Sequence, residues 1–445
     1  LRSALAGVLG VVAVIMLLPF GALPVKVALT PTLLELALAG LLAVWSLRLL
    51  ARPEYDLRLG MLGGPVLLFL GFTLFSLLIG ANGRPDNLTL HNYVKFVLGV
   101  LFFFSVLNSV RLRGEMRWML RALLGGGACA ALLGLALYAL NDQTALRLLT
   151  ALGRIGYPTS GRVLRYVADD PAGLERAIGT SVDPNSFGGM LAPICALAVA
   201  HIWARRPVFP RLAIAAFVAI MAICIFLTYS RGALGGLLVA TMFLATIRER
   251  RLWYVIAAVM LAGAAVVLLF GIGNQFLERV SEGIQFRDQA NQMRLAEFRN
   301  AIEIIQRYPV FGVGFGAGPE LGLITGVSSI YLAMAERIGL LGLATFLLAM
   351  AVFFMQTFAA LRRLDEERQS WLLGVQAAVV AALAVGLLDH YYFNIEFSHM
   401  AALFWGLIGF GIAILHLEEA SGQEVEDGRP DVPSRLLSME RQGQL

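Results

Sequence analysis

The sequence predicts an all-α polytopic membrane protein with about twelve transmembrane helices and two long extracytoplasmic loops. Hydrophobic residues make up 58% of the chain and charged residues only 15%. The mean hydropathy is +0.76, and apolar runs recur almost from end to end. Soluble domains are less apolar and more highly charged. Each run is long enough to cross the roughly 30 Å hydrocarbon core of a bilayer as a helix.

The chain is expected to form one helical transmembrane domain, residues 1–417, and a polar tail, residues 418–445. The tail contains EEASGQEVEDGRPD, a composition typical of a disordered cytoplasmic segment. The first apolar run lacks a clear cleavage site for a signal peptide and is therefore taken as a span. The tenth run is too long for one plain span and is expected to tilt or to extend into the cytosol. The expected spans are about 4–23, 27–49, 60–80, 94–110, 118–140, 187–204, 212–229, 232–247, 253–273, 328–360, 371–388 and 398–416.

The arginines of the short loops predict the orientation, because positive charge is retained on the cytoplasmic side of a membrane. One alternate set of loops contains sixteen arginines, whereas the short loops of the other set contain little beyond Lys26, Arg84 and Arg231. Both termini are therefore expected in the cytoplasm, and the two long loops outside. The net charge of +5 is then mostly a topology signal, and no nucleic-acid partner is expected.

The sequence contains no pattern for a metal, a cofactor or a disulfide framework. Cys129, Cys195 and Cys224 all fall inside expected spans, where cysteine behaves as a small apolar residue. The five histidines are scattered without zinc-binding spacing, and neither a phosphate-binding glycine loop nor a dinucleotide fingerprint occurs. We therefore expect no cofactor.

Polar residues concentrate in two long loops, about residues 141–186 and 274–327, each of which contains five arginines. Long structured loops on a membrane bundle commonly carry function. The first loop ends in LERAIGTSVDPNSFGGML, and we expect Asn185 or Ser186 in this stretch to cap the following span. That interpretation leaves Arg176 unexplained.

Two further arginines lie at the outer boundary. Arg231, in FLTYSRGALGGLLVA, either reaches lipid headgroups or meets an anion in a cavity. Arg294 begins an apolar pattern that predicts an amphipathic helix lying on the membrane and stopped by Tyr308-Pro309. The GVGFGAG run that follows either approaches a ligand closely or makes a tight re-entrant turn.

A last polar group follows the eleventh span, in GLLDHYYFNIEFSHMAALFW. We expect Tyr391 and Tyr392 to belong to the interfacial aromatic belt. Asp389 and His390 do not fit that explanation, since ionisable groups at a membrane boundary usually face a cavity or each other. They are therefore candidate site residues.

Four stretches in this order resemble the O-antigen ligase and Wzy-type polysaccharide polymerase superfamily: RAIGTSVDPNSF, TYSRGALGGLL, MRLAEFRNAIEIIQRYPVFGVGFG and SSIYLAMAERIGLLGL, which together cover about residues 170–345. The resemblance implies a metal-independent glycosyltransferase of the GT-C kind in the bacterial plasma membrane, with an extracytoplasmic active site. Its donor would be a glycan on undecaprenyl diphosphate. Its acceptor would be a lipid A core sugar for a ligase, or another lipid-linked glycan for a polymerase. Further implied partners are membrane lipids and a chain-length-regulating protein.

Arg176, Arg231 and Arg294 match the arginine positions of this family, which implies that they bind the diphosphate. Arginine suits that role, because it stays charged and can bind phosphate through two parallel hydrogen bonds. Asp183 and Asn185, in the first motif, are further candidate site residues.

Ligases of this family carry a histidine in a pattern that continues with Asn, Ser or Gln, nine residues, Gly, two residues and Gly. Ser329, Gly339 and Gly342 fit this pattern here, but Ser328 stands at the histidine position. A serine hydroxyl has no useful basicity at neutral pH. Either another residue accepts the proton, or the protein is a polymerase-like relative whose acceptor is activated differently.

We hypothesise that His390 supplies the missing base. The other candidates for this role are Asp389, Glu336 and Asp183, and the candidate substrate-binding residues near the pattern are Ser328, Ser329 and Tyr331. Glu336 has a second interpretation, in which it holds one of the outer arginines by a charge-assisted hydrogen bond.

Two other functions stay open at this point. A flippase for lipid-linked glycans would also have many spans and cavity arginines. It should, however, show internal symmetry and charges throughout the bilayer depth, and here the charges cluster at the outer boundary. A non-catalytic member that only binds glycan lipid is the other alternative, because of the absent histidine.

Overall fold

The computed structural model of the chain describes residues 2–23, 30–51, 57–79, 85–157, 163–269, 289–316 and 326–417. Of the residues that the structure describes, 78% are helical. A short antiparallel ribbon pairs β1 (Arg165–Tyr166) with β2 (Glu175–Arg176). The expected tail at 418–445 lies outside the described residues, as does much of the second long loop.

The helices are α1 (Arg2–Leu17), α2 (Leu33–Ala51), α3 (Gly60–Ile79), α4 (Asn87–Ser109), α5 (Arg113–Ala139), α6 (Asp142–Ala151), α7 (Pro184–Ile202), α8 (Arg211–Leu227), α9 (Arg231–Ile247), α10 (Arg251–Leu269), α11 (Gln289–Arg307), α12 (Ile330–Leu361), α13 (Glu366–Val385) and α14 (Ser398–Leu415). Short 3₁₀ turns at Tyr391–Phe393 and Ile395–Phe397 connect α13 to α14.

Eight of the described helices are long and apolar enough to cross a membrane: α2, α3, α4, α5, α7, α12, α13 and the segment containing α14. Shorter apolar stretches of 10–17 residues lie in α1, α8, α9 and α10. The prediction of a multi-pass helical membrane protein is therefore confirmed. The count of twelve crossings stays a prediction.

Three helices form the centre of the bundle. The most apolar 18-residue stretches of α7, α13 and the segment containing α14 have 83%, 72% and 94% of their residues buried. Small residues let their backbones come close to neighbouring helices. A Cβ on Gly409 of α14 would lie 2.6 Å from the carbonyl oxygen of Phe103 in α4, and one on Gly236 of α9 would lie 2.7 Å from that of Ala381 in α13.

The two ends of α13 have different surroundings. At its N-terminal end, Glu367 binds Arg113 and Arg117, each at 2.8 Å, and Asp365 caps the helix. Both arginines belong to the set predicted to face the cytoplasm. A 20-residue helix is about 30 Å long. The residues that follow its C-terminal end, including Asp389, therefore lie across the bundle from these ion pairs.

The tenth expected span, α12, is broken at Gly339. This residue has a left-handed backbone, with φ of 72°, inside the helix. The segment Pro309–Gly314 supplies partners for the interrupted backbone: Leu340 N donates to Pro309 O at 2.8 Å, and Gly314 N donates to Arg337 O at 2.8 Å. The break accounts for the unusual length of the segment. The tenth expected span is therefore made of two helical pieces and is not one continuous helix.

Candidate functional site

Asp389 lies at the buried corner that follows α13. Its side chain is only 3% exposed, and its Oδ2 atom has no hydrogen-bond partner among the described residues. Burial raises the pKa of this carboxyl to about 7, and the Asp183 carboxylate also raises it, whereas Arg294 and Arg176 oppose the shift. We therefore expect Asp389 to titrate near neutral pH, under the electrostatic influence of two guanidinium groups.

His390 follows directly and faces the same region. Its ring stacks on that of Tyr391, with centroids 4.9 Å apart, and its Nδ1 atom is buried without a hydrogen-bond partner among the described residues. Burial lowers the pKa of His390, and Arg337 also lowers it, while Glu297 and Asp183 act in the opposite direction. The imidazole is therefore mainly neutral at pH 7, the form that can accept a proton.

Arg176, at the end of β2, ties the first long loop to the end of α8 and the start of α7. Its Nε donates to the carbonyl oxygen of Thr228 at 2.7 Å, and its Nη2 donates to Oδ1 of Asn185 at 2.5 Å. Burial lowers the pKa of this arginine, but the Asp183, Tyr391 and Asp389 side chains raise it. These contacts explain the arginine that capping alone left unexplained.

Asp183 is the residue that caps α7. Its Oδ1 accepts hydrogen bonds from the backbone nitrogens of Asn185 at 2.8 Å and Ser186 at 2.9 Å. Our expectation that Asn185 or Ser186 would be the cap is therefore wrong. Asp183 lies one position before Pro184, so that the proline occupies the first helical turn, where its missing N–H costs nothing. The Asn185 side chain instead accepts from Arg176.

Arg231 is the first residue of α9, which Ser230 caps by accepting from Ala233 N at 3.2 Å. The next residue, Gly232, lies so close to Asp389 that an added Cβ would collide with Oδ2. The N-terminal ends of α7 and α9 therefore meet at the same corner. Helix N-termini carry a partial positive charge and favour bound anions, and three arginines lie at or next to this corner.

Arg294 lies on α11, and its charge acts directly on Asp389. The helix ends at Arg307, so the predicted stop at Tyr308-Pro309 is confirmed. One turn after Arg294, the Glu297 carboxylate accepts two hydrogen bonds from Ser328, from the backbone nitrogen at 3.1 Å and from Oγ at 2.7 Å. The serine at the expected histidine position thus holds a carboxylate of the helix that carries Arg294.

Residues 216–347 match a family model described as O-antigen ligase. The predicted resemblance is confirmed for this segment. The O-antigen ligase segment contains Arg231, Arg294, Glu297 and Ser328, whereas Arg176, Asp389 and His390 of the same corner lie outside it. No curated protein was found to match the chain.

Glu336, within the O-antigen ligase segment, is 1% exposed. Its Oε1 accepts from Gly326 N at 3.1 Å and lies 3.8 Å from Nε of Arg337. Its ion-pair partner among the described residues is therefore its own neighbour, and not an arginine of the long loops as one interpretation had it.

Ser329 and Tyr331, which lie within the matched residues 216–347, bond to the backbone just before Asp389. The Ser329 hydroxyl donates to Gly386 O at 3.4 Å, and the Tyr331 hydroxyl donates to Leu383 O at 2.9 Å. Both carbonyls belong to the end of α13 and the turn that follows it. These two side chains therefore fix α12 against the segment that carries Asp389.

The two tyrosines after His390 are buried, with Tyr391 9% and Tyr392 3% exposed. The Tyr392 hydroxyl donates to Gly189 O of α7 at 2.6 Å, and burial together with Asp183 raises the pKa of Tyr391. The expectation of an interfacial aromatic belt is therefore wrong for this pair. They pack the turn against α7, because their hydroxyls find partners inside the bundle.

Glu297 is the site residue that sequence reasoning missed. The available signal was its position three residues after Arg294, which puts both side chains on one face of a helix. The apolar pattern that begins at Arg294 predicted only an amphipathic helix, and not which of its polar residues belong to a site. Its contact with Ser328 joins positions 31 residues apart, which no local pattern could predict.

Proposed function

We propose that the protein is a membrane glycosyltransferase, which moves a glycan from an undecaprenyl-diphosphate-linked donor to an acceptor sugar on the outer face of the bacterial plasma membrane. The observation that carries this proposal is the close approach of the start of α9, at Gly232, to the buried Asp389, directly after Arg231. Arg176 is held beside the same turn by its bond to Thr228. The match of residues 216–347 to the O-antigen ligase family supports the same chemistry.

The arginine corner, which we define as Arg176, Arg231 and Arg294 together with Asp389, is the part of the site that suits a leaving diphosphate. As the bond between the anomeric carbon and the diphosphate oxygen breaks, its electron pair stays on that oxygen as negative charge. Guanidinium groups and the N-termini of α7 and α9 stabilise charge that develops there. Arg176 is prepositioned by its bonds to Thr228 and Asn185.

His390 is the group we assign to the acceptor. The acceptor hydroxyl oxygen forms the new bond to the anomeric carbon from the face opposite the diphosphate, and its proton passes to the imidazole. The lowered pKa of His390 keeps the ring neutral at pH 7 and therefore able to accept. Asp389 has a pKa near 7. Its protonation therefore removes one negative charge from the region that binds the diphosphate.

The decisive experiment is incubation of the purified full-length protein with a defined polyprenyl-diphosphate oligosaccharide. Lengthening of the glycan would identify a polymerase, and transfer to an added acceptor glycolipid would identify a ligase. Absence of diphosphate release with either acceptor would remove the enzymatic proposal and leave a flippase or a glycan-lipid-binding protein.

The role of His390 is tested by His390→Ala in the same assay. General-base catalysis is typically worth about 10²–10⁴-fold in rate, and we expect a loss of turnover in this range with donor binding retained. His416→Ala is the control, since His416 is exposed at the end of α14. Normal turnover of the His390 variant would refute the assignment of His390 as the base.

A further inference from the structure

A cavity of about 300 Å³ has His390 in its lining. Its wall combines the first turns of α4, the glycine-rich segment before residue 317, α12 and the 3₁₀ turns that follow His390. Arg176, Arg231, Arg294 and Asp389 are not among the described residues that line it. His390 is thus the residue shared by the cavity and the arginine corner.

The lining of this cavity offers hydrogen-bond donors and acceptors in balance. Arg337 donates, the Glu396 carboxylate accepts, and the amides of Asn92 and Asn394 do both. A phosphate site would gather cations without a carboxylate, and a lipid-chain site would be apolar throughout. A sugar ring carries hydroxyls that both donate and accept, so its chemistry fits a lining of this kind.

Two aromatic rings complete the lining. Phe315 and Phe393 lie with ring centroids 5.7 Å apart, and both border the cavity. Such a mixture of aromatic surface with a few placed polar groups is typical of small-molecule sites. Both side chains are only 3% exposed, so they form a packed apolar base beneath the polar side chains that the hydroxyls of a sugar can reach.

The wall is held in place before any ligand binds. Arg337 Nη1 donates to Gly314 O at 3.2 Å and to Gly316 O at 3.1 Å, and Lys95 Nζ donates to Asn92 Oδ1 at 3.3 Å. A prepositioned wall lowers the entropic cost of binding. The cavity therefore has the properties of a built site.

We propose that this cavity binds a sugar ring of the acceptor glycan and presents one of its hydroxyls to His390. The assignment rests on the proposed glycosyl transfer, and it names the half of the site that the arginines do not form. Attack opposite the diphosphate then requires that the acceptor hydroxyl lie between His390 and the anomeric carbon, while the diphosphate leaves on the far side of that carbon.

Direct binding tests the cavity without any turnover. Two lipid-free sugars serve as probes. One is the oligosaccharide released by mild acid from the defined donor. The other is the core oligosaccharide of the lipopolysaccharide from the bacterium that makes the protein. Binding to the full-length protein in detergent is measured by saturation-transfer NMR. Ala333→Phe fills the cavity from α12, and Asn92→Leu removes an amide at similar size. We expect each to weaken binding of at least one sugar by about tenfold.

Ala344→Phe is the matched control, because it adds the same ring to an exposed position of α12. It should bind as the unchanged protein does. If neither sugar binds, or if both cavity variants bind normally, the cavity assignment is overturned.

Kinetics separate this failure from failure of the proposed function. In the transfer assay, Asn92→Leu should raise the KM for acceptor and leave the KM for donor unchanged. Transfer that proceeds with an unaltered acceptor KM would refute the cavity while upholding the glycosyltransferase. An equal rise in both KM values would also refute it, because the cavity would then not be specific for acceptor.

Discussion

Ser328 donates two hydrogen bonds to the carboxylate of Glu297, from its backbone nitrogen at 3.1 Å and from Oγ at 2.7 Å. A hydrogen bond to a charged group contributes about 1.5–3 kcal/mol. Because Arg294 lies one turn before Glu297, the contact also fixes an arginine that we assign to the diphosphate. Ser328 therefore has a positioning role that a serine can perform without basicity.

Ser328→Ala removes the side-chain bond and keeps the backbone one. We expect kcat/KM for donor to fall by roughly tenfold, corresponding to about 1.4 kcal/mol, mainly through a higher KM. Ser328→Thr keeps the hydroxyl and should retain most of the activity. Equal activity of the alanine and unchanged proteins would show that the Glu297 contact does not position Arg294.

The arginines are tested by Arg231→Ala and Arg294→Ala. Loss of one donor to a developing negative charge typically costs about 10²–10³-fold in kcat, and we expect losses of this size with unchanged expression. Lysine at either position should rescue poorly, since it cannot form two parallel bonds. Arg299→Ala, exposed on the same helix as Arg294, is the control and should be neutral. Full rescue by lysine would contradict the bidentate geometry.

Asp389 predicts a pH dependence of donor binding. With a pKa of about 7, the carboxyl is mostly neutral below pH 7 and mostly charged above it. The charged form repels a diphosphate, so the donor KM should rise several-fold between about pH 6 and about pH 8. Asp389→Asn removes this titration and should show a low KM that is flat over the range. A pH-dependent KM in the asparagine variant would assign the titration to another group.

Gly339 predicts a stability effect. Its backbone, with φ of 72° and ψ of 176°, lies in a region that is essentially restricted to glycine and costs another residue about 1–3 kcal/mol, and an added Cβ would collide with the carbonyl group of Val310. Gly339→Ala should therefore lower the thermal unfolding temperature and the activity together. Gly235→Ala is the control, because an added Cβ there meets nothing within 4 Å. An unchanged unfolding temperature for Gly339→Ala would mean that the break relaxes without cost.

The membrane class and the end of α11 could be predicted because each depends on local composition or on a short motif. The cap of α7 was misassigned by two or three positions, since Asp, Asn and Ser all favour that role and Asp183 precedes the proline. Local preference cannot choose among such neighbours without the backbone angles.

The contacts that build the corner could not be predicted in the same way. Arg176 bonds to Thr228 across 52 positions, and Tyr392 to Gly189 across 203. These partners are set by how the helices pack, and periodicity reports only which face is apolar. The burial of Tyr391 and Tyr392 was missed for this reason.

The hydrogen bonds between Pro309–Gly314 and the broken part of α12 depend on which residues of the two segments lie opposite each other. Val313 N donates to Glu336 O at 2.9 Å, between the bonds that Leu340 and Gly314 make. One residue inserted between Pro309 and Gly314 would displace these hydrogen-bond partners from each other. A Cβ added to Gly312 would lie 2.5 Å from the Arg337 carbonyl oxygen. Both the length of this stretch and its glycine at position 312 are therefore constrained by the backbone of α12.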